Sequence, residues 1–416
     1  MQLKHPLSID TYAAKSVSKA KLIVVRALGG ASYFAYALEA FHAAAVASGA
    51  KIAVLPGDDR PDPELANYST LDEAARSQLF SYLSEGGARN FASFIDACEA
   101  IVSGEDLPPS AVPLIRAGLY WPGASAPSVA WLQDRHFKQG RPIAAVTFYR
   151  ALVQSGQTAP VVAMIEALDD AGLNALPVFV SSLKDEVSQD VVRSVFGEVQ
   201  PDVVINATGF AVSAPGGEAK GTVLEATGAP VLQAIFSTIG RPVWEASSQG
   251  LNSRDLAMNV ALPEVDGRVL TRAVSFKAAA RYDETVETNI VAHAPDHGRM
   301  TFVARLAANW ARLRRTEAGE RKVAIILANY PNRDGRIANG VGLDTPAGTI
   351  EVLKAMAQAG FDVAEIPSDG DALVAKLRAG PTNAIGTKRS GGEILSLADY
   401  KDFFASLPDA VREGVT

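Results

Sequence analysis

The chain has 416 residues, 48% hydrophobic and 20% charged, with a net charge of −7. That balance excludes an intrinsically disordered chain, and the length suits two to three domains. The acidic charge, with no dense basic tract, excludes a general nucleic-acid binder, and no run of ~18 apolar residues offers a membrane span.

Residues 1–21 lack the apolar centre of a signal peptide. Residues 21–26 (KLIVVR) read as a strand, Gly29-Gly30 as a turn, and 32–47 as a helix. Residues 51–55 form the next strand, ending in Pro56-Gly57-Asp58-Asp59, with helices near 72–85 and 89–103. The single cysteine, Cys98, falls in the last of these. One thiol cannot close an internal disulfide, which fits a reducing, cytoplasmic location, and Cys98 reads as a small buried apolar residue. Residues 106–113 (DLPPSAVP) are a proline-rich break, and a boundary between them and Pro142 gives an amino-terminal α/β unit over 1–137. Strands at 143–148, 175–180, 202–207 and 229–235 then alternate with helices at 158–171 and 185–198. Residues 269–276 (VLTRAVSF) alternate as an antiparallel or edge strand, and 297–316 look helical. These close a second α/β unit over 138–320. A third segment, 321–416, holds the strand 322–328 (KVAIILA), a long polar loop, a helix near 347–359, a strand at 361–366 and a helix near 369–378. A glycine- and charge-rich loop follows over 380–392. The order predicts an α/β fold: two serial doubly wound, flavodoxin-like or Rossmann-like parallel-sheet units, then the start of a third α/β segment.

The polar loop, 329–346 (NYPNRDGRIANGVGLDTP), packs two Arg, two Asp, three Asn and three Gly into eighteen residues. It sits at the carboxyl end of a predicted strand, where open α/β sheets bind ligands. Arg333 and Arg336 offer forked donors suited to carboxylates. Asn329, Tyr330, Asn332, Asp334, Asn339 and Asp344 add further hydrogen-bonding groups for a polar ligand. The Asn and Gly residues equally suit a loop that satisfies its own backbone. Arg150, preceded by Tyr149, and Asn206 lie at strand ends and are candidate cavity residues too.

Other patterns are weaker. Gly29-Gly30 suits an anion or a tight turn, but lacks G-x-G-x-x-G spacing. Walker A and G-x-S-x-G are both absent; the nearest approach to the former, 380–390 (GPTNAIGTKRS), has the wrong spacing. His293 and His297 flank Asp296 (HAPDH) at the spacing of a divalent-ion pair on a helix. Pro295 disfavours that helix, which leaves Asp296 as the cap of a helix starting near Gly298. Arg312, Arg314 and Arg315 read as a solvated helix end.

The 329–346 segment resembles the signature of the CobN-type large subunit of aerobic cobaltochelatase, a relative of the magnesium chelatase H subunit. Residues 28–33 (LGGASY), 148–152 (FYRAL), 206–209 (NATG) and 244–264 (WEASSQGLNSRDLAMNVALPE) resemble the same family. The similarity runs from about residue 22 to at least 360, and the loop differs from that of the magnesium branch. The resemblance implies the amino-terminal portion of a longer tetrapyrrole-binding subunit, inactive alone. The complete enzyme would be a ligase forming nitrogen–metal bonds, inserting cobalt(II) into hydrogenobyrinic acid a,c-diamide, a polycarboxylate corrin, in aerobic cobalamin biosynthesis. AAA+ partner subunits of the CobS and CobT type would hydrolyse ATP with Mg, in keeping with the missing Walker motif. Because insertion releases ring N–H protons, Glu245, Asp255 and Glu264 become candidate proton acceptors, against capping or salt-bridging roles; Asp255 suits Arg254 or an outside cation. Two alternatives remain: a magnesium-chelatase H-like subunit acting on protoporphyrin IX, and a non-catalytic small-molecule-binding α/β module.

Overall fold

The computed structural model describes residues 3, 5–58, 61–214, 216, 221–284, 288–330, 334–382 and 394–416. The chain divides into two compact units, Met1–Arg312 and Leu313–Thr416.

The first unit opens with helix α1 (Pro6–Lys15), strand β1 (Leu22–Ala27), helix α2 (Ala35–Ser48) and strand β2 (Lys51–Pro56). β1 and β2 run parallel, with Leu22 opposite Lys51. α1 and α2 bury Ile9, Leu38 and Phe41 on one face of this pair. On the other face lie α3 (Glu73–Glu85) and α4 (Ala88–Ser103), whose Leu79, Tyr82 and Ala97 meet Ala53 and Leu55. Asp72 caps α3 by accepting the Ala75 N–H at 2.8 Å. Cys98 lies in α4, half-buried, and burial pushes its thiol pKa up, so it is not an activated nucleophile. The proline-rich 106–113 stretch is firmly tied. The Tyr82 hydroxyl donates to the Pro109 carbonyl at 2.6 Å, and Asn90 exchanges two hydrogen bonds with the Val112 backbone.

The main sheet begins with β3 (Ala117–Leu119), α5 (Val129–Arg135), β4 (Ile143–Tyr149), α6 (Arg150–Gln154) and α7 (Ala159–Asp170). It continues with β5 (Asn174–Val180), α8 (Glu186–Val199), β6 (Val203–Asn206) and β7 (Val231–Ser237). After β7 come the short helices α9 (Arg241–Ala246) and α10 (Ser253–Leu256), a π-helical turn at Ala257–Ala261, and α11 (Leu262–Val265). β8 (Val269–Asp283), β9 (Thr288–Pro295) and α12 (His297–Arg315) complete the series.

The sheet order is β3-β5-β4-β6-β7-β8-β9. The five inner strands are parallel, and β3 and β9 close the edges antiparallel. Side chains alternate between two apolar layers, as the strand period demands. Val146, Phe148, Val203 and Ile205 face α7 and α12; Ala145, Leu176, Val178 and Val204 face the opposite layer with α8. The sheet is thus doubly wound, as expected from alternating apolar runs and amphipathic helices. The 269–276 run is not an edge strand. It lies inside the longer β8, parallel to β7 on one side and antiparallel to β9 on the other. The connection from β4 goes to β5 on one side, and β6 then returns to the other side of β4. The topological switch point therefore lies at the carboxyl ends of β4 and β6.

The second unit carries α13 (Thr345–Gln358), α14 (Gly370–Ala379), α15 (Leu397–Ala405) and α16 (Asp409–Val415). The expected strands at 322–328 and 361–366 are corrected here: neither is ladder-paired. Ile326 stands 93% exposed. An apolar run becomes a strand only against a neighbour that takes its N–H and C=O groups, and none of the described residues supplies that ladder. The expected loop over 380–392 falls largely on residues outside those described.

Phe148→Ala, at a fully buried position, is expected to destabilise the first unit by about 3–5 kcal/mol in urea unfolding. Val341→Ala, at a fully exposed position, should change stability by less than about 0.5 kcal/mol. Equal effects at the two sites would contradict this placement of the core.

Candidate functional site

Two regions hold the candidate residues, one in each unit. In the second unit the 329–346 loop folds on itself. Its base closes through a bridge between Asn329 and Ile337, and a tighter bridge joins Gly340 to Leu343. Within the first bridge Asp334–Arg336 forms a 3-10 turn, and the Asn339 N–H donates to the Arg336 carbonyl at 3.1 Å. Ala338 is buried with φ 58, so the loop interior is itself packed. Asp344 caps α13, accepting the Ala347 N–H at 3.0 Å. Tyr330, Arg336 and Asn339 present their side chains to solvent, with Tyr330 83% exposed. Asn332 and Arg333 lie outside the described residues. Part of the loop's polar content thus supports its own backbone, and part is exposed.

In the first unit, Asn206 is the centre of a buried network at the end of β6. Its Oδ1 accepts from the Thr147 and Thr208 hydroxyls at 2.8 and 2.9 Å. Its Nδ2 donates to Gln233 Oε1 at 2.8 Å and to the Thr208 carbonyl at 3.0 Å. Asn206 is fully buried, and its amide is engaged inside the sheet. It holds the strand end in shape and does not face a cavity. The chain beyond it is fastened residue by residue. The Tyr149 hydroxyl accepts from the Gly209 N–H and donates to the Gly209 carbonyl, both at 3.1 Å. The Phe210 N–H donates to the Met258 carbonyl of the π-helical turn at 2.7 Å. The Val212 and Ser213 N–H groups donate to the Asp266 carboxylate at 2.8 and 2.9 Å. Gly209 is closely enclosed: a Cβ there would stand 2.8 Å from Asn259 Oδ1 and 3.0 Å from the Met258 carbonyl.

Charges beneath this segment are arranged around burial. Arg268 pairs with Asp266 at 2.7 Å, both side chains almost wholly enclosed. Burial lowers the Arg268 pKa, with Asp266 opposing it. Burial raises that of Asp266, but the Val212 and Ser213 N–H groups and Arg268 outweigh it and hold the carboxyl below its usual range. Burial pushes the Tyr149 phenol up, so it stays a neutral donor and acceptor.

Beside Tyr149 opens a cleft of about 380 Å³, lined among others by Arg26, Asp58, Phe91, Tyr149, Arg150 and Ser181. The carboxyl ends of β1 and β2 meet those of β4 and β5 across it. Arg26 is held at its rim by the carbonyls of Pro56 and Gly57. Arg150 is 12% exposed, pairs with Glu85 at 3.1 Å, and donates to the carbonyls of Leu114 and Ile115 at 2.7 and 3.0 Å. It thereby ties β4 to α3 and to the segment before β3. A cleft between the carboxyl ends of strands from two sheets is a common seat for a ligand.

The remaining candidates resolve individually. Asp255 is buried and accepts from the Ser237 hydroxyl, the Thr238 N–H and the Thr238 hydroxyl at 2.8–2.9 Å, not from Arg254. Glu245 pairs with Arg241 at 2.8 Å, and Glu264 is exposed. His293 lies in β9 and His297 opens α12, so the pair shares no helix face. Asp296 caps α12 by accepting the Arg299 N–H at 3.1 Å. Among the described residues no group of three or more His, Cys, Asp or Glu is placed to hold a metal. Gly29 and Gly30 have φ 95 and 83 and lead into a 3-10 turn, the tight-turn use. Arg312, Arg314 and Arg315 are exposed in the last turn of α12. Phe210, Asp266 and Arg268 are not among the residues expected from the sequence, and the π-helical turn falls inside the 244–264 stretch noted for its resemblance alone. The one available signal was the glycine ending Asn206-Ala-Thr-Gly209.

Asn206→Ala should cost at least about 3 kcal/mol, because it strands the Thr147 and Gln233 side chains in the core; an unchanged urea midpoint would contradict the network. His293 supplies a pH test. Burial, with Lys277 beside it, pushes its imidazole down to about 4, against the pull of Asp255. Between about pH 6.5 and 4 the unfolded chain therefore binds this proton more readily than the folded one. The stability His293 contributes is complete above about pH 6.5 and is lost as pH falls towards 4. An NMR titration should find the ring still neutral at pH 5; a midpoint near 6.5 would rule out the burial.

A family model described as CobN/Magnesium Chelatase matches residues 80–416. The chain is 58% identical to the aerobic cobaltochelatase subunit CobN of Sinorhizobium sp, over 100% of this chain and 33% of that protein. It is 40% identical to the subunit of the same name from Pseudomonas aeruginosa, over the same shares. A solved structure, the catalytic subunit of cobaltochelatase from Mycobacterium tuberculosis, matches with a TM-score of 0.69 at 28% identity, covering 97% of this chain and 32% of that one. The chain spans about a third of the length of these relatives. Among the described residues no helix is long and apolar enough to cross a membrane. With the family model matched along most of its length and identity of this order throughout, the chain belongs to the CobN/Magnesium Chelatase family.

Proposed function

We propose that the chain is part of the large, tetrapyrrole-binding subunit of an ATP-dependent cobaltochelatase, which inserts Co(II) into hydrogenobyrinic acid a,c-diamide in aerobic cobalamin biosynthesis. The observation that carries this reading is the 58% identity to a cobaltochelatase subunit along the whole chain. ATP hydrolysis is assigned to AAA+ partners of the CobS and CobT type, in keeping with the absence of a Walker A pattern from this sequence. Insertion requires the metal to shed water, the ring to deform, and ring N–H protons to pass to a base. This chain's share is to bind and orient the macrocycle, and by itself it does not insert metal.

The loop is the proposed substrate contact. Arg333 and Arg336 suit the peripheral carboxylates of a corrin, and a charge-assisted hydrogen bond contributes roughly 1.5–3 kcal/mol. Asn329, Tyr330, Asn332, Asp334 and Asn339 complete a polar rim, while Asp344 fixes the loop to α13. At the switch point of the first unit Arg150 and Asn206 act as positioning residues, the one clamping the cleft and the other shaping the end of β6.

Quenching of the four tryptophans by hydrogenobyrinic acid a,c-diamide tests this. Arg333→Ala/Arg336→Ala should weaken binding at least tenfold, the loss expected from about 1.4 kcal/mol. Protoporphyrin IX should not compete. Unchanged binding by the double variant would remove the loop from the substrate site, and preferential binding of protoporphyrin IX would move the reading to the magnesium branch.

A further inference from the structure

Phe210 stands apart from the rest of the first unit. Its backbone is left-handed, with φ 63. Such a conformation suits glycine or asparagine and is costly for a bulky aromatic residue. The neighbouring glycine does not take that conformation: it is Gly209 that is pressed against Asn259 and Phe210 that carries the strain. The ring is 47% exposed and belongs to none of the packed apolar clusters of the described residues. Core packing therefore does not account for it.

The backbone around Phe210 is nonetheless fixed from both sides. Tyr149 holds Gly209, the Met258 carbonyl takes the Phe210 N–H, and Asp266 takes the next two N–H groups but one. The Met258 carbonyl belongs to a π-helical turn, a rare feature concentrated at functional sites. The ring sits just past the carboxyl end of β6, at the switch point, and Tyr149 joins its turn to the wall of the cleft. An over-determined backbone that turns one aromatic ring outward at the carboxyl edge of the sheet has the construction of a stacking platform.

We propose that Phe210 is a contact surface against which the conjugated inner ring of a tetrapyrrole macrocycle lies. The ligand class rests on the chelatase reading, since a tetrapyrrole is the conjugated macrocycle that reading supplies. An aromatic face recognises a conjugated plane whatever its peripheral groups, so this contact gives affinity and tilt. Discrimination among macrocycles falls to polar groups elsewhere.

Three proteins test the proposal: wild type, Phe210→Tyr, which keeps an aromatic face, and Phe210→Leu, which keeps apolar bulk without one. Each is titrated with hydrogenobyrinic acid a,c-diamide, reading the dissociation constant and the induced circular dichroism of the corrin band. Phe210→Tyr should bind within about twofold of wild type. Phe210→Leu should bind about tenfold more weakly and lose the induced signal, the size expected of one aromatic stacking contact. Its melting temperature should stay within about 2 °C of wild type, because bulk is retained. Equal binding by all three proteins would overturn the platform and leave the chelatase reading standing. Weak binding by both variants, with lowered melting temperatures, would assign Phe210 a packing role and overturn the platform too. Failure of wild type to bind the corrin would overturn both.

Discussion

The buried amide of Asn206 is the interaction on which the first unit's functional edge depends. A strand end in the middle of a parallel sheet leaves backbone and side-chain groups with no ladder partner and no water. Asn206 meets that demand with three accepted and two donated hydrogen bonds, linking Thr147 on β4 to Gln233 on β7. Three strands are thereby registered at the place where the chain order reverses. Everything beyond hangs from that fixed point: Gly209 on Tyr149, Phe210 on the π-helical turn, and Val212 and Ser213 on Asp266. Remote side chains thus set the geometry of a turn whose own sequence is short and small.

Much of the fold was legible because parallel strands buried on both faces read as continuous apolar runs. Val203 to Asn206 and Ala175 to Val180 are such runs, and both are strands. β9 was not legible. Thr288 to Pro295 mixes polar and apolar residues because much of the strand is exposed at the sheet's edge. The same rule misled at 322–328, where the run is as apolar as any inner strand but no described partner takes up its hydrogen bonds. Strand propensity describes fitness for a pleated, half-buried surface, and the surface must be there.

The site was legible in part. Glycine and asparagine density marked the 329–346 loop correctly as a folded, polar excursion. Spacing alone could not separate Asp344, which serves a helix, from Arg336, which faces water. Asn206 and Arg150 stood out as polar residues at strand ends, yet both are engaged with the protein. Residue type does not reveal whether a side chain's partners are internal. The left-handed Phe210 had no signal beyond the glycine before it, since its backbone partner is Met258, nearly fifty positions away in sequence.

The Arg150–Glu85 pair has a consequence for how the molecule comes apart. Arg150 grips α3 and the Leu114 and Ile115 carbonyls at once, while Tyr82 and Asn90 hold the prolines just upstream. The stretch that reads as a proline-rich break is therefore a seam between two sheets that share their fastenings. Pro109, Ser110, Val112 and Pro113 are exposed along it, but a cut there leaves the two sheets joined through the Arg150–Glu85 pair. Local opening on one side removes the partners of the other, so the two sheets lose protection from hydrogen exchange together. What composition marks as the weakest link in the chain is where the unit's cooperativity is made.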